Sequence, residues 1–222
     1  MQIPQQMYRR WGKRAFDILC ASAALTVLAP AFAILAIAVR VTIGAPALFR
    51  QIRGGLDQEP FVILKFRSMT EDRDEAGEIL PDAARLSRLG RFLRSTSLDE
   101  LPELLNVLRG EMSLVGPRPL LTRYQPWYTP EEMQRFSVLP GITGLAQING
   151  RNSLNWEERF QYDVQYAQNY SLLLDLKILF NTVGKVLRRE DVHVDTSLTL
   201  RSLDEERRAK QQLFSVGGNS VR

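Results

Sequence analysis

The side chains of this chain that could perform chemistry are an adjacent pair of carboxylates, Asp99 and Glu100, with cations in short motifs elsewhere. The cations are Lys65 and Arg67 in "KFR", Arg94 five residues before Asp99, and Arg118 in "PRP". Carboxylates can hold a divalent metal ion or attack phosphorus, and fixed cations can neutralise a diphosphate. These residue types suit phosphoryl transfer. An acidic pair also stabilises the start of a helix, which is the commoner role.

Other catalytic chemistries lack their residues in this sequence. One histidine and one cysteine cannot build a zinc site. His193 lies in a polar tail, so we expect a surface residue there and no Ser-His-Asp triad. Walker A and dinucleotide-binding glycine patterns are both absent, which excludes the nucleotide-binding classes that depend on them.

The length and charge of the chain allow one ordinary domain and a membrane element. It has 222 residues, 45% of them hydrophobic, and a net charge of +4. That modest basicity suits nucleic acid, anionic lipid or a phosphorylated substrate. The charge is concentrated near the start, where residues 1–53 contain seven basic side chains and one acid, Asp17. No nucleic-acid reader motif is present, so we expect no nucleic-acid partner.

An apolar run, Ile18–Val39, is 22 residues long and contains no charge. One straight helix of this length would measure roughly 33 Å, enough to span a bilayer. Pro30 divides it into two halves, each too short to span, and basic residues lie on both sides. Because positive charge prefers the cytoplasmic side, both ends favour the same side of the membrane. The sequence therefore predicts a re-entrant helical hairpin broken at Pro30.

Three other interpretations of the run remain open. A straight transmembrane span is the main competitor. A secretory signal peptide fits less well, because the run stays apolar beyond the small residues of "APAFA" and no disulfide framework follows. A soluble buried helix fits least, since a run of this length is typical of membrane segments.

Short-range patterns predict the elements that position the charged residues. Segment 45–69 predicts two strands around a turn at Gly54-Gly55, and 71–82 predicts an exposed loop. Segment 83–95 has apolar residues at helical spacing with arginines between them, which predicts a basic amphipathic helix. A second helix should begin close to Asp99, because Pro102 is tolerated only in a first helical turn.

The second half of the chain is predicted to be mainly helical. "TPEE" at 129–132 indicates a capped helix start, and 139–151 indicates loop or extended chain. Two helices are expected at 155–170 and 171–187, the second in the core or at the membrane interface because it carries charges such as Asp175. A polar, charged tail follows from Glu190, and we expect the Gly/Ser-containing stretch at its end to be mobile.

Several motifs together resemble a known family. "KFRSM" at 65–69, "TSLDELPELLNVLRGEMSLVGPRP" at 96–119, "LPGITGLAQINGR" at 139–151 and the proline-centred apolar run are similar to the bacterial sugar transferases. These are the small monotopic phosphoglycosyl transferases. The resemblance extends in order from about Lys13 to Arg188, so it covers most of the chain.

The resemblance implies a reaction, a place and an architecture. Such enzymes move a sugar-1-phosphate from a UDP-sugar to a polyprenol phosphate, such as undecaprenyl phosphate, and release UMP. Mg²⁺ is the implied cofactor, and the cytoplasmic face of the bacterial inner membrane, with its anionic lipid, is the implied location. The expected α+β fold has a re-entrant membrane hairpin, a small β-hairpin and amphipathic helices at the membrane interface. Its expected parts are a basic segment 1–14, the membrane helix 15–44, a catalytic domain 45–189 and a polar extension 190–222.

The resemblance also assigns roles to individual residues. The expected catalytic pair is Asp99-Glu100, with Asp99 as the nucleophile and Mg²⁺ at the pair. Glu100 is expected either to bind the metal or to manage the protonation of the acceptor. The remaining assignments are phosphate binding by Arg94, substrate binding by Lys65 and Arg67 of "KFR", nucleotide binding by Pro117, Arg118 and Pro119, and a further acidic active-site position at Asp163. Many members have serine before the membrane-helix proline where this chain has Ala29.

Two functional alternatives stay open at this point. Asp99 could act as a metal ligand only, with the lipid phosphate attacking the UDP-sugar directly. Alternatively, the chain could be a membrane-anchored basic scaffold without catalytic activity. The sequence does not select the sugar or the oligomeric state.

Overall fold

The structure is a computed structural model that describes residues 6–150, 153–188 and 202–217. The α-helices of the described part are α1 (Lys13–Thr42), α2 (Asp82–Arg85), α3 (Arg88–Thr96), α4 (Glu103–Arg109), α5 (Leu145–Asn149), α6 (Trp156–Asn169), α7 (Leu172–Arg188) and α8 (Leu203–Gly217). The strands are β1 (Leu48–Gly54), β2 (Pro60–Phe66), β3 (Ser113–Val115) and β4 (Gly141–Thr143). This mixture of helices and two small sheets agrees with the predicted α+β class.

The apolar run forms a single long helix. A π-helical turn, Tyr8–Gly12, leads into α1, and the combined helix Tyr8–Thr42 is the one helix in the described residues that is long and apolar enough to cross a membrane. At 1.5 Å per residue, α1 measures about 45 Å. Pro30 lies inside α1, where it removes one backbone donor. The predicted re-entrant hairpin broken at Pro30 is not confirmed, because α1 continues through Pro30 as one helix.

Both ends of α1 contact the same folded domain. Near its start, Lys13 donates a hydrogen bond to the buried Asp175 of α7 over 2.7 Å, and Arg14 donates to the carbonyl oxygens of Val107 and Leu108 in α4. Near its end, Val39 is fully buried in a cluster with Phe66 and Leu93. The domain therefore runs alongside the helix and holds it at both ends.

The predicted β-hairpin is confirmed. β1 and β2 pair antiparallel, with Phe49 opposite Lys65 and Gly54 opposite Pro60. Because side chains alternate along a strand, Phe49, Gln51 and Arg53 share one face of the hairpin with Lys65. That face forms one wall of the cleft described below.

The region around the acidic pair differs from its prediction in two ways. The expected basic helix is interrupted at Leu86, so it becomes α2 and α3, and Ser87 caps α3 by accepting a hydrogen bond from the Gly90 amide. The next helix, α4, starts at Glu103 rather than near Asp99. Pro102 has no amide hydrogen to donate to the Leu98 oxygen, which accepts instead from the Leu101 amide over 3.3 Å. Residues Leu98–Glu100 instead form a separate 3₁₀ turn that carries both carboxylates.

Two glycine-containing motifs meet where β3 and β4 pair in parallel. The Gly116 amide donates to the Thr143 oxygen over 2.8 Å, and the Gly141 amide donates to the Pro117 oxygen over 3.0 Å. A Cβ atom on Gly116 or Gly141 would collide with the backbone of the other segment. The close approach fixes the segment that carries Arg118. Part of the segment predicted as loop or extended chain thus forms β4 and the short helix α5.

The predicted helices at 155–170 and 171–187 are confirmed as α6 and α7. The capping box of "TPEE" is also present, since Thr129 and Glu132 exchange hydrogen bonds of 2.8 and 3.3 Å. The turn that follows it, Glu132–Ser137, is 3₁₀ rather than α-helical.

The polar C-terminal extension contains a docked helix that no pattern in the sequence predicts. Leu203 at the start of α8 is fully buried beside Leu120 and Trp156. Arg207 of α8 forms an ion pair of 2.6 Å with Glu132. The predicted boundary at Glu190 and the predicted surface position of His193 lie outside the described residues.

Candidate active site

A cleft of about 610 Å³ opens between the β-hairpin, α3, the 3₁₀ turn at Leu98–Glu100, and parts of α5 and α6. Its lining contains seven cations and four carboxylates: Arg53, Lys65, Arg67, Arg85, Arg94, Arg118, Arg159, Glu71, Asp82, Asp99 and Glu100. Six of the predicted site residues are among them. The excess of positive charge suits an anionic ligand.

Glu100 is held by two cations from different parts of the chain. Lys65 Nζ lies 2.7 Å and Arg118 Nη2 lies 2.6 Å from the same atom, Glu100 Oε1. Burial alone would raise the pKa of Glu100, but Arg118 and Lys65 outweigh it and hold that pKa well below its usual value. Glu100 in turn raises the pKa of Arg118. The carboxylate is therefore ionised, and it joins β2 to the segment after β3.

Asp99 lies in the same cleft, but its carboxylate forms no ion pair or hydrogen bond with the residues that the structure describes. Burial, and then the neighbouring charge of Glu100, raise the pKa of Asp99 to about 6, while Lys65, Arg118 and Arg94 act in the opposite direction. The two neighbours are thus differently placed: Glu100 is tethered, whereas Asp99 remains available to a ligand.

A third carboxylate, Glu103, lies behind the pair and was not predicted as a site residue. It is buried, and its Oε1 lies 3.1 Å from Lys65 Nζ. Burial, then Glu100, raise its pKa to about 7. Asn106, one helical turn later, accepts a hydrogen bond from the Leu64 amide and donates one to the Val62 oxygen. Because these bonds fasten α4 to the open edge of β2, they set the position of Lys65 relative to the acidic residues.

Arg94 reaches the cleft from α3. Its Nε donates a hydrogen bond of 3.0 Å to Ser68 Oγ, just beyond β2. Gly90, one turn earlier, lies so close to the Ser68 backbone that a Cβ atom would overlap it. Because Gly90 has no side chain, α3 packs closely against the backbone at Ser68, and this close packing brings Arg94 to the cleft. Arg67 lies nearby, with Nη2 at 3.2 Å from Glu71 at the mouth.

Three predicted site residues do not line the cleft. Pro117 and Pro119 line a separate shallow depression and flank Arg118. Asp163 is buried in α6, where its Oδ2 accepts hydrogen bonds of 3.1 and 2.9 Å from Arg135. Arg135 also donates one of 2.7 Å to the Arg118 backbone oxygen. The structure therefore places Asp163 behind the Arg118 segment, where it can act through Arg135 and not by direct contact in the cleft.

Arg53, Ser68, Gln147 and Arg159 also line the cleft and were missed from the sequence. Arg53 could have been predicted, because side chains alternate along a strand and Arg53 therefore shares the hairpin face of Phe49, which lies opposite Lys65. Nothing comparable exists for Arg159 and Gln147, which reach the cleft only through the tertiary packing of α5 and α6.

The donor set at the pair fits a magnesium ion. Mg²⁺ in proteins is bound through one or two carboxylates and retains several waters or substrate oxygens. Asp99 offers a carboxylate that forms no hydrogen bond or ion pair with the described residues, and both cation contacts of Glu100 are to Oε1, which leaves Oε2. The described residues contain no cluster of three or more acidic, histidine or cysteine ligands, so further ligands would come from water or substrate.

A model of the family described as "Bacterial sugar transferase" matches residues 8–189. A protein of Bacillus subtilis (strain 168) named "Uncharacterized sugar transferase EpsL" is 50% identical over 187 residues, which cover 84% of this chain and 93% of that protein.

Two further relatives have more specific names. A "UDP-glucose:undecaprenyl-phosphate glucose-1-phosphate transferase" of Caulobacter vibrioides is 41% identical over 82% of this chain and 72% of its own length. "Exopolysaccharide production protein ExoY" of Rhizobium meliloti (strain 1021) is 40% identical over 79% of this chain and 85% of its own length.

Proposed function

The chain belongs to the bacterial sugar transferase family, and from this we propose that it transfers a sugar-1-phosphate from a UDP-sugar to undecaprenyl phosphate, releasing UMP. The similarity to a transferase named for that reaction supports the substrate class. The observation that carries the proposal is the contrast within the acidic pair. Asp99 faces the cation-rich cleft without a hydrogen bond or ion pair to the described residues, while Glu100 is held by Lys65 and Arg118.

In the proposed mechanism, Asp99 is the nucleophile. One of its carboxylate oxygens bonds to the phosphorus that bears the sugar, and the bond from this phosphorus to the bridging oxygen breaks, so that UMP leaves with the electron pair. An oxygen of the lipid phosphate then bonds to the same phosphorus and displaces Asp99. The free carboxylate is restored, and the product is a lipid-linked diphosphate sugar that can initiate a membrane glycan.

The remaining residues hold charge and geometry. Lys65 and Arg118 are fixed by Glu100 on the two sides of the pair, so they can face a diphosphate without rearranging. Arg94, anchored on Ser68, adds a cation from α3. Mg²⁺, bound by Asp99 and Glu100, would supply further neutralisation of phosphate charge.

We also propose a monotopic arrangement at the cytoplasmic face. Both ends of α1 contact one domain, which a helix crossing the bilayer to a separate compartment could not achieve. Several apolar side chains project outward from α1 and α7, among them Leu19, Val27, Ile34, Leu173 and Phe180. A membrane that receives the exposed apolar faces of both helices would cover these side chains. The cytoplasmic side follows from the UDP-sugar, which is made in the cytosol.

The monotopic arrangement predicts that both ends of α1 lie on the same side of the membrane and are labelled under the same conditions. In a Cys20→Ala background, Gln6→Cys and Ala45→Cys should be protected from an impermeant maleimide in sealed right-side-out vesicles and should react after detergent is added. Asp57→Cys, in the exposed hairpin turn of the catalytic domain, is the control and should behave alike. Labelling of only one α1 end in sealed vesicles would instead establish a straight span.

The reaction itself is tested by UMP release from a panel of UDP-sugars. Full-length protein in detergent should release UMP when undecaprenyl phosphate is present, and the reaction should stop when EDTA removes the divalent cation. A chain that binds membranes but releases no UMP with any UDP-sugar would be the membrane-anchored scaffold, and the proposed function would be wrong.

A further inference from the structure

One cation of the cleft, Arg53, has no carboxylate partner among the described residues. Its Nη2 donates a hydrogen bond of 2.6 Å to Gln51 Oε1, while its Nε is buried and forms no hydrogen bond with the described part of the chain. Arg67 and Arg85 of the same cleft, by contrast, each form an ion pair with a carboxylate. A half-buried guanidinium with one neutral partner is costly unless an anion completes its environment.

The neighbouring charge of Arg118 increases this cost, and Glu103 acts in the opposite direction. Burial, and then the charge of Arg118, lower the pKa of Arg53 to about 10. Burial, and then Arg118, also lower the pKa of Arg159 on α6. The charge of Arg118 thus repels both Arg53 and Arg159, and a bound anion would relieve this repulsion.

This flank is the one remote from the membrane helix. The Gly54 amide, directly after Arg53, donates to the Leu120 oxygen over 3.1 Å, and Leu120 packs with Trp156 in the cluster that also buries Leu203. The opposite flank carries Arg94 on α3, whose Leu93 packs against Val39 of α1. A phosphate attached to a lipid approaches from the α1 side, whereas a soluble nucleotide can occupy the far side.

We propose that Arg53, together with Arg118 and Arg159, forms the subsite for the phosphate group of the nucleotide, the group that leaves as UMP. The inference rests on the proposed function and adds to it a binding residue on β1 and a direction for each substrate. Arg53 lines the cleft, and its guanidinium group can donate two hydrogen bonds as a fork to two oxygens of one phosphate, as guanidinium groups commonly do.

The test is direct binding, measured by titration calorimetry on full-length protein in detergent micelles. Arg53→Gln should weaken UMP binding by about 10- to 100-fold, the range for loss of a charged hydrogen-bonded contact. Binding of uridine, which has no phosphate, and of a short-chain polyprenyl phosphate should stay within about twofold of wild type. Arg53→Lys, which retains charge without the fork, should fall between wild type and Arg53→Gln.

Arg50→Gln is the matched control, because Arg50 is an exposed arginine of β1 on the face opposite to Arg53. It should bind all three ligands as wild type does. If Arg53→Gln misfolds by circular dichroism, the Arg53→Lys comparison decides alone.

Each outcome separates the subsite from the proposed function. Unchanged UMP affinity in Arg53→Gln and Arg53→Lys would overturn the subsite while leaving the function intact. Loss of polyprenyl phosphate binding in place of UMP binding would assign Arg53 to the lipid and would also overturn the inference. A wild-type protein that binds no UMP and releases none from UDP-sugars would overturn the proposed function together with the subsite.

Discussion

Asp99→Asn should lower UMP release in the presence of lipid acceptor by about 10³-fold or more, the scale of losing a nucleophile, and should leave no sugar-phosphate on the protein. Wild-type protein given a UDP-sugar and Mg²⁺ without acceptor should gain the mass of one sugar-phosphate on Asp99 and release about one equivalent of UMP. The amide of asparagine is a poor nucleophile at phosphorus and a weaker metal ligand than a carboxylate. Intact-protein and peptide mass spectrometry measure the adduct and its position.

The adduct distinguishes the two mechanisms that the sequence left open. Loss of turnover in Asp99→Asn occurs whether Asp99 attacks or only binds metal, so turnover alone does not decide. Asp57→Asn makes the same chemical change in the exposed turn of the β-hairpin and should retain both activity and adduct. If wild-type protein releases UMP only when both substrates are present, and no adduct is found, then direct displacement is correct and Asp99 is a metal ligand.

The contrast between Asp99 and Glu100 could not be obtained from the sequence. Both are acidic, they are adjacent, and the resemblance assigns metal binding to both. Their difference arises because Lys65, on β2, and Arg118, after β3, converge on one oxygen of Glu100. Such convergence depends on tertiary packing, namely the Asn106 contact to β2 and the glycine contact between the β3 and β4 segments.

Local patterns were sufficient where the physical cause is local. Strand alternation around Gly54-Gly55 predicted the hairpin, and helical periodicity with the cap at Asn155 accounts for α6. The start of α4 was misplaced because Pro102 permits two solutions, a helix starting before it or a 3₁₀ turn followed by a helix. Nothing local indicated that Leu203 would be buried, since its partners lie in distant segments.

The membrane helix illustrates how the two kinds of information combine. The sequence placed basic residues on both sides of the apolar run, but it could not say what they bind. In the structure Arg9, Lys13 and Arg14 all donate hydrogen bonds to the folded domain, namely to Tyr170, Asp175 and Val107. The positive flank that the charge rule assigns to the cytoplasm is therefore the flank that the domain holds in place.

Asp163→Asn should lower the thermal unfolding midpoint by roughly 10 °C, because it leaves the Arg135 guanidinium buried without its counter-charge. The side chains of this ion pair are only 2% and 1% exposed, and their closest atoms are 2.9 Å apart. Removing one partner of a buried pair typically costs about 3–5 kcal/mol. Glu157→Gln is the matched control, since Glu157 lies on the same helix in an ion pair with Lys210 that is nearly half exposed. A surface pair of this kind contributes at most about 1 kcal/mol.

The double variant Asp163→Leu with Arg135→Met separates a positioning role from direct substrate contact. The rings of Tyr128, Phe136 and Phe160 surround Arg135, so methionine should pack there and restore most of the unfolding midpoint. Methionine cannot replace the hydrogen bond that Arg135 donates to the Arg118 oxygen. The double variant should therefore have a higher KM for the UDP-sugar than wild type, although its unfolding midpoint recovers. If Asp163→Asn abolishes turnover with an unchanged unfolding midpoint, Asp163 contacts substrate or metal directly, and its buried position in α6 is not the position it occupies during turnover.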